Sequence, residues 1–160
     1  MLPCMDICSR VIHGLQVRRA RLRHIGEPGS PAVPADETIE MTIVKNNAAV
    51  GGFNRWTLND EAFSMQTMKP LYTLHQGRRY RLKLRNASDD IHSLHLHRHS
   101  FELTQIGGKA TAGIIKDVVM LAGFQEVAFD FVADNPGLTL FHCHQQLHMD
   151  FGFMALFKYA

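Results

Sequence analysis

Apolar and polar residues alternate along several short segments of the chain, with a repeat of two residues. In the segment TIEMTIVK, apolar side chains fall on one side of an extended chain and polar ones on the other. The apolar positions are Ile39, Met41 and Ile43, and the polar positions between them are Glu40 and Thr42. Because successive side chains of a β-strand point to opposite faces, this pattern predicts a strand with one face in a core.

The segment RRYRLKLRN repeats the alternation with stronger contrast. Its apolar positions are Tyr80, Leu82 and Leu84, and we expect the basic residues between them to remain in water, namely Arg79, Arg81, Lys83 and Arg85. Further strand-like runs are separated by glycine, proline or asparagine turns, and they cover residues 101–106, 114–121, 127–132, 138–144 and 153–159. These features predict an all-β antiparallel sandwich, with at most a short helical turn after Cys143.

A turn-rich segment divides the chain. EPGSPAVP at Glu27–Pro34 concentrates proline, glycine and serine, so we expect it to end a leader and linker at residues 1–34 and to precede one folded domain at residues 35–160. The N-terminus has no uninterrupted apolar run after a basic start, so it predicts no secretory signal. Cys4 and Cys8 in this leader suit unpaired small apolar residues; a disulfide to another region and a metal contact are the alternatives.

Composition excludes several classes of partner. The formal net charge is +2, with 17 basic and 15 acidic residues interspersed, so no broad basic field predicts nucleic-acid binding. No apolar run approaches the length that a membrane span needs. Three cysteines are too few for a disulfide framework. The eight methionines are dispersed, and we expect Met41, Met65 and Met120 to fill the core.

Seven of the ten histidines fall into two tight clusters. The first is HSLHLHRH at His92–His99, and the second is HCHQQLH at His142–His148. A lone histidine is usually a solvated or hydrogen-bonded imidazole, as we expect for His13, His24 and His75. Two clusters joined to a cysteine instead predict metal binding.

Strand geometry sorts these residues into two sites. Side chains of opposite parity face opposite sides of a strand, so Cys143 must point away from both of its histidine neighbours. His95 and His97 share a face, and His92 points the other way. One predicted site therefore collects Cys143, His92 and His148; the other collects His95, His97, His142 and His144.

Two imidazoles and a thiolate form the donor set of a blue-copper electron-transfer centre. Zinc accepts the same donors in a tetrahedral arrangement. The neighbouring group of four imidazoles favours copper, because Cys143 is joined to two of them through a few covalent bonds and a structural zinc site needs no such connection.

At these residues the sequence resembles the multicopper oxidases, the family of laccases and ascorbate oxidase. HSLHLHRHSF is similar to the family motif HPxHLHGHxF, and HCHQQLHMDFGF is similar to HCHxxxHxxxG(M/L/F). The resemblance implies a cupredoxin-like Greek-key β-sandwich of the C-terminal type found in these enzymes. It also implies type 1 copper ligands at His92, Cys143 and His148, a type 2 ligand at His95, and type 3 ligands at His97, His142 and His144. The axial position of the type 1 site is Phe153, which cannot coordinate a metal.

The sequence departs from the family pattern in three places. Ser93 stands at the usual proline, and Arg98 stands at the usual glycine. The family's oxygen-reducing cluster uses eight histidines, four of them from an N-terminal domain, and no His-x-His precedes His95 in this chain. Half of that cluster therefore has to come from an N-terminal domain or from another chain.

By resemblance, we expect a copper-dependent, laccase-like oxidoreductase. Electrons from a phenol, an aromatic amine or a metal ion would enter at the type 1 site, and Cys143 would relay them to His142 and His144 for the reduction of dioxygen to water. One alternative is a stand-alone blue-copper electron-transfer protein; another is a pair of chains that each supply four histidines. The resemblance implies a periplasmic or secreted location.

Overall fold

The computed structural model describes residues 33–160, so Cys4, Cys8, His13, His24 and nearly all of the expected leader lie outside the described residues. Within this range the chain forms eleven strands and one short helix. Their bounds are β1 (Glu37–Val50), β2 (Phe53–Leu58), β3 (Pro70–Leu74), β4 (Arg79–Asn86), β5 (His92–Leu96), β6 (Phe101–Ile106), β7 (Lys109–Lys116), β8 (Val118–Leu121), β9 (Glu126–Val132), β10 (Thr139–Cys143), α1 (Gln146–Asp150) and β11 (Met154–Tyr159).

Two sheets enclose the core. One has six strands in the order β2-β1-β4-β9-β6-β7, and the other has five in the order β3-β11-β10-β5-β8. A single apolar cluster contains inward side chains of both sheets, including Phe129 from β9 and Phe141 from β10. The prediction of an all-β sandwich is confirmed, and so is the short helical turn after Cys143.

The alternating segments behave as predicted on their apolar faces. Ile39, Met41 and Ile43 are buried, as are Tyr80, Leu82 and Leu84. β1 and β4 pair side by side, which places Ile39 next to Leu82 and Met41 next to Leu84. The two periodic segments therefore form one continuous apolar surface of the six-stranded sheet.

Two details of the predicted strands are wrong. The run at residues 114–121 is divided between β7 and β8, which belong to different sheets. The pairing is also not purely antiparallel, because β1 runs parallel to β4 and β11 runs parallel to β3. Alternation specifies which face of a strand is buried, but it does not specify the neighbouring strand or its direction.

Four side chains also lie in environments that differ from the sequence expectation. Arg79 and Arg81 do not simply face water, because both guanidinium groups contact the fully buried carboxylate of Asp130, with Nε–O distances of 3.2 and 2.7 Å. Met65 and Met120 are exposed, at 70% and 59%, whereas Met41 is in the core as expected. Dispersed methionines carry no periodic signal that separates core positions from surface ones.

The five-stranded sheet brings the two histidine clusters together. β10 pairs antiparallel with β5, and in this register His142 lies opposite His95 and Cys143 lies opposite Leu94. α1 follows β10 directly and carries His148. Among residues 33–160, no helix has both the length and the apolar character needed to cross a membrane.

Candidate metal centres

A buried three-residue group lies on one face of β5 and β10. The Nδ1 atoms of His92 and His148 are 3.1 Å apart, and they lie 3.7 and 3.4 Å from the Sγ atom of Cys143. All three side chains are buried, and Cys143 is a free thiol. Two imidazole nitrogens and one sulfur thus converge on one point from two strands and the helix.

These separations fit a metal ion. With metal–nitrogen bonds of about 2.0 Å and a metal–sulfur bond of about 2.3 Å, trigonal or tetrahedral angles place such donors roughly 3.3 to 3.7 Å apart. The three observed separations lie at or close to this range. The three residues could therefore hold a metal with only small side-chain adjustments.

Burial keeps the three groups uncharged in the metal-free protein. Burial, with a smaller contribution from repulsion by His148, lowers the pKa of His92 to about 4. Burial also lowers the pKa of His148 and raises the pKa of the Cys143 thiol. Neutral imidazoles keep the lone pairs that a metal requires, whereas the thiol must release its proton when a metal binds.

A buried hydrogen-bond chain sets the tautomer of His92. The hydroxyl of Ser88 lies 2.7 Å from Asn86 Oδ1, which can only accept, so Ser88 donates there. The lone pairs of the Ser88 oxygen are then available to His92 Nε2, 3.3 Å away. His92 therefore carries its proton on Nε2 and turns an unprotonated Nδ1 toward Cys143.

Phe153 packs against this group from within the core. It is fully buried, and its ring lies edge-on to His92 with the centroids 4.7 Å apart. Its backbone joins the other two members, because the Phe153 N–H donates to the His148 carbonyl and the Phe153 carbonyl accepts from the Cys143 N–H. Met154, the next residue, is only half-buried. The side of the group that Phe153 covers is therefore apolar.

Four histidines form a second group on the opposite face of the same two strands. His97 Nε2 and His142 Nε2 are 2.8 Å apart. The His95 ring centroid lies 4.9 Å from that of His97 and 5.5 Å from that of His144. His142 is buried, His95 and His97 are half-buried, and His144 is exposed. The group is thus open on one side.

Backbone carbonyls fix two of these rings. His95 Nδ1 donates to the carbonyl oxygen of Asp117 at 2.7 Å, and His142 Nδ1 donates to that of Cys143 at 2.8 Å. Each bond leaves Nε2 as the ring nitrogen without a proton. Burial, followed by repulsion from neighbouring histidines, lowers the pKa of His97. Burial is also the main cause of the lowered pKa of His142. These neutral imidazoles could serve as metal donors.

The motifs and geometry agree with the family model described as multicopper oxidase, which matches residues 32–160. The chain belongs to the multicopper oxidase family. Copper is the cofactor of this family, and the chain is a copper-binding domain with a cupredoxin-like fold. The two histidine groups described above supply nitrogen and sulfur donors that suit copper.

Known members of the family extend well beyond this chain. Multicopper oxidase MmcO from Mycobacterium tuberculosis is 35% identical over 104 residues, which is 65% of this chain and 20% of that protein. L-ascorbate oxidase from Brassica rapa subsp. pekinensis is 36% identical over 84 residues, or 45% of this chain and 15% of that protein. The chain thus spans a fifth or less of the length of these two relatives.

Solved structures show the same architecture. A multicopper oxidase from Pseudomonas thermotolerans aligns with a TM-score of 0.64 and 26% identity, covering 86% of this chain and 36% of that one. A metallo-oxidase from Campylobacter jejuni aligns with a TM-score of 0.68 and 18% identity, covering 83% of this chain and 32% of that one. The second likeness concerns the fold alone.

The two substitutions within the first multicopper oxidase motif have different structural effects. Arg98, at the motif glycine, has a φ of 64°, in the left-handed region that a side chain disfavours. Its guanidinium group donates to Asn135 Oδ1 and to the carbonyls of Pro136 and Leu138, and so fastens the loop before β10. Ser93, at the motif proline, lies on β5, and its carbonyl accepts from the His144 N–H.

His99 also supports the four-histidine group. Its Nδ1 lies 2.9 Å from the carbonyl oxygen of His97, and its Nε2 lies 2.7 Å from the hydroxyl of Tyr159. The backbone beside His97 is therefore tied to the C-terminal strand. His75 is exposed, as expected from its isolation in the sequence.

Sequence reasoning missed the polar and aromatic residues around the buried group. Ser88 has no motif of its own, and its role follows only from its distance to His92. Nothing in the sequence position of Trp56 indicated that its ring stacks on His148. The only available signal was that it is the single tryptophan of the chain.

Proposed function

We propose that this chain is the part of a laccase-like multicopper oxidase that receives electrons from the reducing substrate. In this proposal His92, Cys143 and His148 bind the type 1 copper, with Phe153 at the axial position. His95 is a ligand of the type 2 copper, and His97, His142 and His144 are ligands of the type 3 pair. The observation that carries the proposal is the back-to-back placement of the two groups across β5 and β10.

Each residue has a distinct task in this proposal. Bound copper supplies reversible one-electron chemistry and, in a completed cluster, the reduction of dioxygen to water. The Cys143 thiolate is the sulfur donor, and its own backbone bonds lead directly to His142 and His144 on the other face. Phe153 excludes water from the buried side. The hydrogen bonds at His95 and His142 aim Nε2 away from the protein backbone.

The four-histidine group needs a partner to become a closed cluster. Its open side, where His144 is exposed, supports the addition of histidines from an N-terminal multicopper oxidase domain or from another chain. The length of the relatives supports the same view, because the chain spans only a fifth or less of the two described above. The reducing substrate is a phenol, an aromatic amine or a metal ion, and the second substrate is dioxygen.

The proposal extends to domain organisation and location. Residues 35–160 form the copper-binding domain, and residues 1–34 serve as a leader and linker. The parent protein works in the periplasm or outside the cell, which the family resemblance suggests.

Copper content, visible absorption and EPR spectra of the copper-loaded chain test the proposal, with Cys143→Ser as the matched variant. We expect an intense visible thiolate band and a type 1 EPR signal in the wild-type chain. Both should vanish in Cys143→Ser while the far-UV circular dichroism is retained. A folded wild-type chain without such a band would contradict the type 1 assignment.

Copper stoichiometry and chain mass separate the alternatives for the second group. One copper per monomeric chain, with no oxygen consumption, would indicate a stand-alone electron-transfer protein or a domain that lacks its partner. More than one copper per chain, with oxygen consumption and a dimeric mass, would indicate that two chains complete the cluster together. A monomeric mass at saturating copper would exclude that pairing.

A further inference from the structure

Trp56 lies directly against a proposed copper ligand. It belongs to β2 and is buried, and its ring is stacked on His148 with a centroid separation of 4.0 Å and an interplanar angle of 24°. Its backbone N–H donates to the carbonyl of Phe151, just after the helix that carries His148. The indole ring comes from the six-stranded sheet and the imidazole ring comes from α1, and the two rings are held in face-to-face contact.

A second contact holds the indole from its other edge. Trp56 Nε1 donates to Asp90 Oδ2 at 2.9 Å. Asp90 is fixed in turn, because its other carboxylate oxygen lies 3.2 Å from Lys45 Nζ and its backbone carbonyl accepts from Asn86 Nδ2 at 2.8 Å. Asp90 is two residues before His92. Trp56 thus bridges the segments that supply the two imidazoles of the buried group.

The His148 ring depends on this contact for its orientation. Metal-binding histidines are usually fixed by a hydrogen bond from the ring nitrogen that does not face the metal. In His92 the Ser88 hydroxyl supplies that bond, whereas the hydrogen-bond contacts of the His148 ring to described residues, at 3.1 and 3.4 Å, both involve Nδ1. The flat indole surface restrains the rotation that a bond at Nε2 would otherwise prevent.

We propose that Trp56 is a positioning residue for His148: its ring and its bond to Asp90 set the placement of the His148 imidazole relative to Cys143 and His92. The proposal rests on the assignment of these three residues as a metal site. It also makes the single tryptophan of the chain a direct reporter of metal binding, because an open-shell metal at that site would quench its fluorescence.

Cobalt(II) is a suitable probe, because it accepts the same donors, does not oxidise the thiol and gives a near-ultraviolet thiolate band. The affinity of the chain for cobalt is measured by competition with a chelator, for wild type, Trp56→Leu and Trp56→Phe. The control is Phe101→Leu. Phe101, on β6, is equally well buried and stacks with nearly the same geometry, at 4.0 Å and 25°, but on Phe129 rather than on a histidine.

We expect Trp56→Leu to weaken cobalt binding roughly tenfold or more, which is the loss of affinity typical when the support of a metal ligand is removed. The same variant should shift the thiolate band. Trp56→Phe, which keeps a stacked ring but loses the bond to Asp90, should recover part of the affinity. Phe101→Leu should lower stability but keep affinity and band. Wild-type affinity and an unshifted band in Trp56→Leu would overturn the positioning role.

Two further comparisons make the outcome decisive. If Trp56→Leu does not fold, Asp90→Ala and Asp90→Asn replace it, because alanine releases the indole whereas asparagine keeps an acceptor for it. Weaker binding in Asp90→Ala alone supports the proposal, and equal affinities in both overturn it. If the thiolate band and the fluorescence quenching persist in Cys143→Ser, the metal site itself is misassigned, and the role of Trp56 fails with it.

Discussion

Replacement of Arg98 separates backbone strain from side-chain bonding at the end of the metal-bearing strand. Arg98 has a φ of 64°, and its guanidinium group bonds to the 135–138 loop. Arg98→Ala removes these bonds and keeps the strained backbone. Arg98→Gly removes the same bonds and also relieves the strain. The difference between the two variants therefore measures the strain alone.

The structure gives the expected magnitudes. A left-handed conformation costs a residue with a side chain about 1 kcal/mol relative to glycine. The three hydrogen bonds are exposed to solvent, so together they contribute about 1 kcal/mol rather than about 1 kcal/mol each. Arg98→Ala should then reduce the free energy of unfolding by about 1 kcal/mol, and Arg98→Gly should leave it nearly unchanged.

Urea unfolding of the metal-free chain checks this prediction. With a slope of about 2 kcal/mol per molar urea, a difference of 1 kcal/mol moves the midpoint by about 0.5 M. The midpoint should thus fall in Arg98→Ala and remain close to wild type in Arg98→Gly, with equal slopes. Equal destabilisation of the two variants would refute the strain argument, and no effect in either would refute both parts of it.

Three other changes have expected outcomes. Ser88→Ala should reduce the free energy of unfolding, measured in urea, by about 1 to 2 kcal/mol, because the buried His92 N–H loses its acceptor. Ser88→Thr keeps a hydroxyl and should not reduce it. Equal stability of Ser88→Ala and wild type would contradict the assignment of the His92 tautomer. Gly152→Ala should cost about 3 kcal/mol in the same assay, because φ is 105° and a Cβ would lie 2.9 Å from the Trp56 carbonyl oxygen; a wild-type midpoint would show that the backbone relaxes there. The free energy of unfolding of the metal-free chain should fall by roughly 3 kcal/mol between pH 7 and pH 4, because the pKa of His92 is about 6.5 in the unfolded chain but about 4 in the folded one. Urea unfolding at a series of pH values checks this. An equally steep loss in His92→Gln would show that another group causes it.

Local sequence patterns predicted part of the fold well and part of it poorly. The period-two segments around Ile39 and Leu82 gave both the strands and their buried faces, because alternation follows directly from the geometry of an extended chain. The division of residues 114–121 between two sheets was not predicted. A strand-like run does not show by itself where the chain leaves one sheet and joins another.

The environment of several individual side chains was also poorly predicted. Arg79 and Arg81 looked like solvent-exposed positions, yet both contact Asp130, which is distant in sequence and lies on a different strand, β9. Likewise, Met65 and Met120 are exposed, although methionine composition suggested core positions. Such environments depend on which segments become neighbours, and no local repeat records that.

For the candidate metal centres, the sequence by itself predicted two groups of candidate donors on opposite faces, because parity along a strand separates Cys143 from His142 and His144 whatever the rest of the fold does. Only the tertiary structure decided how the groups are held. The pairing of β5 with β10 sets the donor distances, Ser88 sets the tautomer of His92, and Trp56 lies against His148. These contacts depend on strand pairing and on tertiary packing rather than on any local pattern.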